Sequence, residues 1–489
     1  MPDFSQPETR LFIDGDFRAA RSGRSFDNVD PATEEAFGTC ADAGPEDMRE
    51  AIDAAQRAFD ATAWASDVAL RKRVLTQLRE GLEKEKEHLR LQTVREVGSP
   101  IQLTYGPQMQ SVLDDMQWVI DLLDRYAFEH EIGVHEFFGM KSQRIVRREP
   151  VGVVAAISPW NFPIQVTWAK TMPALAAGNT VVLKPAPDTP YHATFLARVA
   201  AEYTDMPKGV LNVVTAHDPA EVGEVLTTDP RVGLVSFTGS TAVGRRIMAN
   251  ASATLKKVFL ELGGKSANIV LDDADFGAVL PSAAMTCMHG GQGCAITTRL
   301  LLPRARYDEG LAIVKAAFEA VKYGDPMDPQ NIQGPQVSRR QQERVLDYVR
   351  KGVEEGARLV VGGKRPAHLP KGFYVEPTLF ADVDNAMTIA QEEIFGPVLV
   401  AIPYEDDDDA VRIANDSIYG LSGAVLSASQ ERAMAVARRL RTGTVGVNGG
   451  MWFGPDSPFG GYKQSGIGRE MGVQGFEEYL ETKTIGVRV

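Results

Sequence analysis

The chain is poor in cysteine. Three in 489 residues, Cys40, Cys287 and Cys294, cannot build the even-numbered disulfide framework of a small secreted domain. A chain this long buries large cores without such staples. The sparse, odd set of thiols predicts a reducing compartment, with the cytoplasm as the expected location. Excess positive charge is also missing: 52 Lys and Arg stand against 65 Asp and Glu, a net charge of −13. That balance argues against a nucleic-acid partner, whose phosphates Lys and Arg would hold. No run approaches about 18 apolar residues, so neither a transmembrane helix nor a membrane partner is expected. The opening stretch MPDFSQPETRLF has no basic segment followed by an apolar one, so no secretory leader is expected.

Several familiar site patterns are absent too. His130, Glu131 and His135 have the second histidine five residues after the first, where a zinc-binding helix needs four. The acidic run at 405–409 reads as a helix cap and first turn. No metal is expected. The loop 239–244 has the glycine spacing of a nucleotide-triphosphate loop, but Arg245 and Arg246 stand where Lys and Ser or Thr would be needed. It keeps the general device of glycine and serine at a strand-to-helix turn, which points backbone N–H groups at an anion.

What is present is alternation. Apolar residues at helical spacing predict helices over 46–61, 67–97 and 109–130. Residues 133–149, with β-branched and aromatic side chains around a central Gly139-Met140, predict a long hairpin. From residue 151, short apolar runs at 152–157, 180–183, 211–214, 234–237 and 268–271 are separated mostly by helix-length segments near 164–177, 189–203, 218–227 and 241–251. Candidate strands at 299–302, 359–361, 398–402 and 444–447 continue the pattern, and 446–468, dense in Gly and Pro, reads as loop. The fold class is therefore α/β, with parallel sheets and right-handed crossovers. Such sheets bind ligands beyond the carboxyl ends of their strands. At about 150 residues per domain, the length predicts roughly three lobes.

Three short segments carry chemistry. Cys294 lies in Gly290-Gly291-Gln292-Gly293-Cys294-Ala295, where small residues leave a thiol open to a second molecule. Cys40 and Cys287 read as buried packing residues. A thiol with a pKa of about 8.5 needs a base or a positive environment to act as a nucleophile. Glu261, ending the apolar run 258–260 ahead of two glycines, is the candidate base. Pro159-Trp160-Asn161-Phe162-Pro163 brackets an asparagine between prolines directly after a strand, which pre-organises its amide as a donor to a developing oxyanion.

These segments, with Lys184-Pro185, Phe237-Thr238-Gly239-Ser240, Glu261-Leu262-Gly263-Gly264-Lys265, Glu393-Ile394-Phe395-Gly396-Pro397 and the stretch from Pro458 to Gly466, resemble the NAD(P)-dependent aldehyde dehydrogenase superfamily, in its order and over essentially the whole chain. The resemblance implies a Rossmann-like parallel-sheet cofactor domain (1–128 and 151–262), an α/β catalytic domain (263–468), and a β-hairpin oligomerisation arm and tail (129–150 and 469–489). It implies that Cys294 attacks an aldehyde, that Asn161 and the Cys294 N–H hold the oxyanion, and that Glu261 activates the hydrolytic water. Lys170 and Glu470 match positions linked to proton relay. Cofactor contacts fall on Ile157, Ser158, Pro159, Trp160, Lys184, Pro187, Gly239, Ser240, Gly244, Leu262, Glu393 and Phe395. Among these, Lys184 serves the adenosine ribose, Ser240 the pyrophosphate, Glu393 the nicotinamide ribose and Phe395 the nicotinamide.

One departure concerns the cofactor. NAD-preferring members commonly place Glu where Pro187 stands here. Losing that carboxylate removes an acceptor and a repulsion against a 2′-phosphate, so NAD is expected with NADP possible. Substrate residues implied by the family are Met116, Trp168, Gly293, Ala295, Ile296 and the loop 451–453 with Phe453. They are mainly apolar and include no arginine, which predicts a neutral, hydrophobic aromatic or medium-chain aldehyde. A CoA-acylating relative is the alternative reading, although such members usually lack the glutamate seen at 261. A binding protein with the fold but no activity is a third. The hairpin and the strand-like 482–489 predict a homodimer or homotetramer.

Overall fold

Most strands of the two large sheets are short and apolar because they are covered on both faces. The computed structural model describes residues 6–489; the first five residues of the stretch read for a leader lie outside it. Among the described residues no helix is long and apolar enough to cross a membrane.

One sheet has eight strands, in the order Gly466–Ile467, Lys257–Glu261, Val232–Thr238, Val153–Ile157, Thr180–Lys184, Leu211–Val213, Leu11–Ile13 and Asp16–Arg18. The five strands from Lys257–Glu261 to Leu211–Val213 run parallel. Alternation sends Val154, Ala156, Val181 and Leu183 to one face, in a core with the helices Val68–Val97, Gln110–Arg125, Pro163–Ala177 and Tyr191–Tyr203. Val153, Ala155 and Val182 face the other way, onto the helices Pro45–Ala61, Pro219–Thr228 and Thr241–Ala251. A parallel sheet covered on both faces explains the unbroken apolar runs.

The second sheet has seven strands: Arg358–Val361, Thr378–Ala381, Val398–Tyr404, Thr297–Pro303, Ser266–Val270, Gly423–Leu426 and Gly446–Val447. All neighbours are parallel except the edge strand Arg358–Val361. The third, antiparallel, sets Met140–Pro150 between Glu129–Phe137 and Leu480–Arg488, joining the hairpin to the chain's far end. A two-stranded sheet pairs Ser25–Asp30 with Glu35–Ala41.

Three segments differ from the sequence expectation. The helix expected to reach residue 130 ends at Arg125, because Glu129 is already paired with Arg147 in the hairpin. The segment around Cys287 is a 3₁₀ helix, Leu280–Gly291, with the thiol fully buried. Within 446–468 lie two short strands and a 3₁₀ turn, of which Gly466–Ile467 closes the edge of the first sheet beside Glu261. The acidic run does start a helix, Asp407–Asn415, whose cap Asp406 accepts from the Asp409 N–H.

Candidate active site

A cavity of about 2160 Å³ opens at the carboxyl ends of the first sheet. Ile157, Lys184, Thr238 and Leu262, each at or just beyond the end of a parallel strand, stand on its wall together with Cys294. The segment before Cys294 makes a sharp turn. His289, Gly290 and Gly291 take φ of 54°, 65° and 70°, the left-handed region. At Gly291 the bare Cα is obligatory, since a Cβ would lie 2.0 Å from the Gly396 carbonyl oxygen. The turn thus seats the cysteine loop on the segment that carries Glu393 and Phe395.

Asn161 is fastened to that loop from both ends. Its Nδ2 donates to the Gln292 carbonyl at 2.9 Å. Its own carbonyl accepts from Gln108 Nε2 at 2.9 Å and lies 2.8 Å from His289 Nε2. Gln292 is itself held, donating to the His289 and Pro335 carbonyls and accepting from the Val337 N–H. Gln108 and His289 were not singled out from sequence. They act through a backbone carbonyl, which no residue pattern announces.

Burial, reinforced by Glu393, Glu261 and Glu470, pushes the Cys294 thiol up to about 12. Burial and then Glu470 likewise push Glu261 well above the usual carboxylate range. Glu261 sits behind the cavity wall. Both carboxylate oxygens are buried without hydrogen-bond partners, and a Cβ on Gly460 would come within 2.5 Å of Oε1. Lys170 donates to Glu470 Oε1 at 2.8 Å, and of that buried pair Glu470 reaches the cavity.

The remaining candidates divide. Ser158, Pro159, Trp160, Pro187, Gly239, Ser240, Glu393 and Phe395 all reach the cavity. Trp160 and Phe395 meet edge to face at 5.3 Å. Glu393 accepts from the Gly264 N–H at 2.8 Å, and burial pushes it up to about 7. Ser240 caps the helix Thr241–Ala251, whose free N–H groups end at the same wall. Gly244 does not line the cavity; its bare Cα packs on Leu262 and lets the helix close on the strand end. Gly293, Ala295, Ile296 and Phe453 line the cavity.

Met116 and Trp168 require a correction. Both are buried in the core between helices. The faces turned to the cavity are those of Ser111 and Asp115 on one helix and Gln165, Val166 and Ala169 on the other. One residue along a helix is a rotation of about 100°, so naming a neighbour of a wall residue selects the wrong face. The same correction brings in a carboxylate, Asp115, on a wall read as apolar.

The adenosine-side departure at Pro187 is also answered next door. Asp188 reaches the cavity, is largely buried, and lies 3.7 Å from Arg340. Burial raises its pKa, while Arg340, His217 and Lys184 act to lower it. Lys184 is buried, donates only to the Pro185 carbonyl at 3.1 Å, and is pushed by burial down to about 8.

Comparison with known proteins shows the family. The profile of the aldehyde dehydrogenase family matches residues 17–485. A Mycobacterium tuberculosis aldehyde dehydrogenase solved in complex with NAD+ is 43% identical, with 97% of each chain covered and a TM-score of 0.93. A mutant aldehyde dehydrogenase C from Pseudomonas syringae, solved with NAD+ and octanal, is 39% identical over 98% of this chain and 96% of that one, with a TM-score of 0.92. A 3-succinoylsemialdehyde-pyridine dehydrogenase from a Pseudomonas species is 42% identical over 97% of this chain and 98% of its own. The chain belongs to the aldehyde dehydrogenase family, oxidoreductases that convert aldehydes to acids.

Proposed function

We propose that this protein oxidises an aldehyde to a carboxylic acid through a covalent Cys294 intermediate that Glu261 helps to hydrolyse. The observation that carries the reading is the bond from Asn161 Nδ2 to the Gln292 carbonyl, which ties an amide donor to the loop of a cavity-facing thiol. Cys294 adds to the carbonyl carbon, and the second N–H of the Asn161 amide, with the Cys294 backbone N–H, holds the oxyanion. Loss of hydride from this thiohemiacetal leaves a thioester on Cys294. Glu261, turned from its slot beside Gly460 toward the cavity, then takes a proton from the attacking water. Glu470 and Lys170 lie within its field and give the proton a route away from the site. Acyl transfer to coenzyme A, the alternative, finds no support among the relatives.

The residues fit a nicotinamide dinucleotide as hydride acceptor. Thr238 Oγ1 is buried on the cavity wall without a hydrogen-bond partner, next to a helix N-terminus suited to a pyrophosphate. Lys184 and Glu393 are the ribose ligands, and the Trp160–Phe395 corner shelters the nicotinamide. NAD+, when bound, accepts the hydride. Asp188 supplies the carboxylate missing at Pro187 and disfavours a 2′-phosphate, so NAD is preferred to NADP.

The substrate is a neutral hydrophobic aldehyde, aromatic or medium-chain, as the apolar residues Phe162, Met285, Phe453 and Phe459 on the wall suggest. The three-stranded arm, with its exposed Val134 and Phe138, joins copies into a dimer or tetramer. The test is a panel of alkyl, aryl and carboxylate-bearing aldehydes with NAD+ and NADP+, following the reduced cofactor. Alkyl or aryl aldehydes with NAD+ should show the highest kcat/KM, and Cys294→Ala should show none. Turnover by Cys294→Ala would reject the mechanism, and a preference for succinic semialdehyde would reject the substrate class.

A further inference from the structure

The Asn161 backbone carbonyl meets two buried side chains at once, Gln108 Nε2 at 2.9 Å and His289 Nε2 at 2.8 Å. A carbonyl oxygen only accepts, so the ring proton of His289 sits on Nε2 and its Nδ1 carries a bare lone pair. Burial pushes the imidazole down to about 4, so it is neutral in use. Nδ1 is buried with no hydrogen-bond partner among the described residues, and so is the other polar atom of the Gln108 amide, Oε1. Buried polar atoms without partners cost stability, and an apolar side chain at either position would remove that cost. His289 also holds φ at 54°, a left-handed conformation uncommon outside glycine. These costs fall on residues whose shared contact is the carbonyl of the oxyanion donor.

His289 grips Asn161 from both ends. Its ring holds the Asn161 carbonyl, and its own backbone carbonyl accepts from Gln292 Nε2 at 2.9 Å. Gln292 in turn supplies the carbonyl that receives Asn161 Nδ2. The chain of bonds therefore closes on itself, from the Asn161 carbonyl through His289 and Gln292 back to the Asn161 amide. The His289 N–H is tied to the Ile332 carbonyl at 2.9 Å, and Phe162 stands edge-on to the imidazole at 5.3 Å. Closure fixes the Asn161 backbone together with its amide, which leaves the second N–H one direction. A donor to a developing charge is effective when it is held in place beforehand.

We propose that His289 is a positioning residue of the reaction, which through the Asn161 carbonyl aims the amide that receives the oxyanion, with Gln108 sharing the task. That role rests on the reading above, in which Asn161 is an oxyanion donor. His289 is fully buried, and neither it nor Gln108 reaches the cavity wall. Both therefore act on the rate of the chemical steps and not on the binding of aldehyde or cofactor.

The test is a double-mutant cycle on kcat with NAD+ and hexanal. His289→Phe keeps a ring against Phe162 and removes the donor, whereas His289→Gln returns an N–H near the place of Nε2. In His289→Phe, kcat should fall on the order of 10- to 100-fold while KM for hexanal and NAD+ stays within about threefold. His289→Gln should recover most of the loss. In an Asn161→Ala background, His289→Phe should cost less than about threefold, because the amide it aims is gone. Alkylation of Cys294 by iodoacetamide, which forms no oxyanion, should keep its rate in His289→Phe. An unchanged kcat in His289→Phe, an equal fall in the Asn161→Ala background, no recovery in His289→Gln, or a parallel loss of alkylation overturns the proposal. If His289→Phe does not fold, Gln108→Leu takes its place in the cycle with the same expectations. Wild-type kcat in Asn161→Ala alone would instead reject the reading on which this role rests.

Discussion

Asn161 and Cys294 lie 133 positions apart in the chain, yet the bond from the Asn161 amide to the Gln292 carbonyl, with the contact between the Asn161 carbonyl and His289 Nε2, joins their loops. Asn161→Ala removes the amide and keeps the turn between its two prolines. The expected result is a fall in kcat on the order of 100- to 1000-fold, as for loss of one oxyanion donor. Steady-state kinetics with one good aldehyde checks it. Glu261→Gln should separate the two halves of the reaction. About one equivalent of reduced cofactor should form quickly and turnover should then stall, because the thioester waits for water that has lost its base. A rapid-mixing trace without a burst would place the function of Glu261 elsewhere. The pH dependence follows from the same groups. Cys294 is pushed up to about 12, so its thiol is held protonated at neutral pH, and burial with Glu470 pushes Glu261 above its usual range. Cys294 acts as the thiolate, so kcat/KM should rise with pH toward about 10. A profile that falls instead would contradict the assignment. Cys294 and Asn161 stood out as candidates in the sequence, because a thiol among glycines and an asparagine between prolines are unusual locally. The retracted position of Glu261 did not, since it depends on Gly460, almost 200 residues away.

At the scale of elements, the left-handed turn at residues 289–291 decides whether the cysteine loop can lie on the Glu393 segment. Gly291→Ala would set a methyl group against the Gly396 carbonyl in a backbone conformation that disfavours a side chain. The expected cost is about 2–5 kcal/mol, combining the left-handed penalty with overpacking. Thermal or denaturant unfolding measures it, and a change below about 1 kcal/mol would show that the contact relaxes freely. Sequence periodicity found the helices on the tunnel side but not their rotation. Met116 and Trp168 are apolar and therefore go to the core, while the wall is formed by the smaller or polar residues beside them.

At the scale of the whole molecule, the arm stands out. Every residue of the strand Glu129–Phe137 is exposed, and Phe138 at the hairpin turn is 86% exposed. Edge strands with exposed apolar residues need a partner or a charge to keep them apart. Replacing Val134 and Phe138 with lysine should therefore lower the mass found by light scattering, and an unchanged mass would remove the arm from the assembly. What the sequence determined by itself was local and periodic: the strands, the helices, the candidate thiol and the family. Those follow from nearest-neighbour chemistry and the spacing of apolar residues. Only the tertiary structure decided which face each helix turns to the cavity, where Glu261 rests, and that Asp115 reaches the cavity wall. Those depend on contacts between segments hundreds of residues apart, where packing a large apolar side chain into a core rotates its smaller neighbours into view.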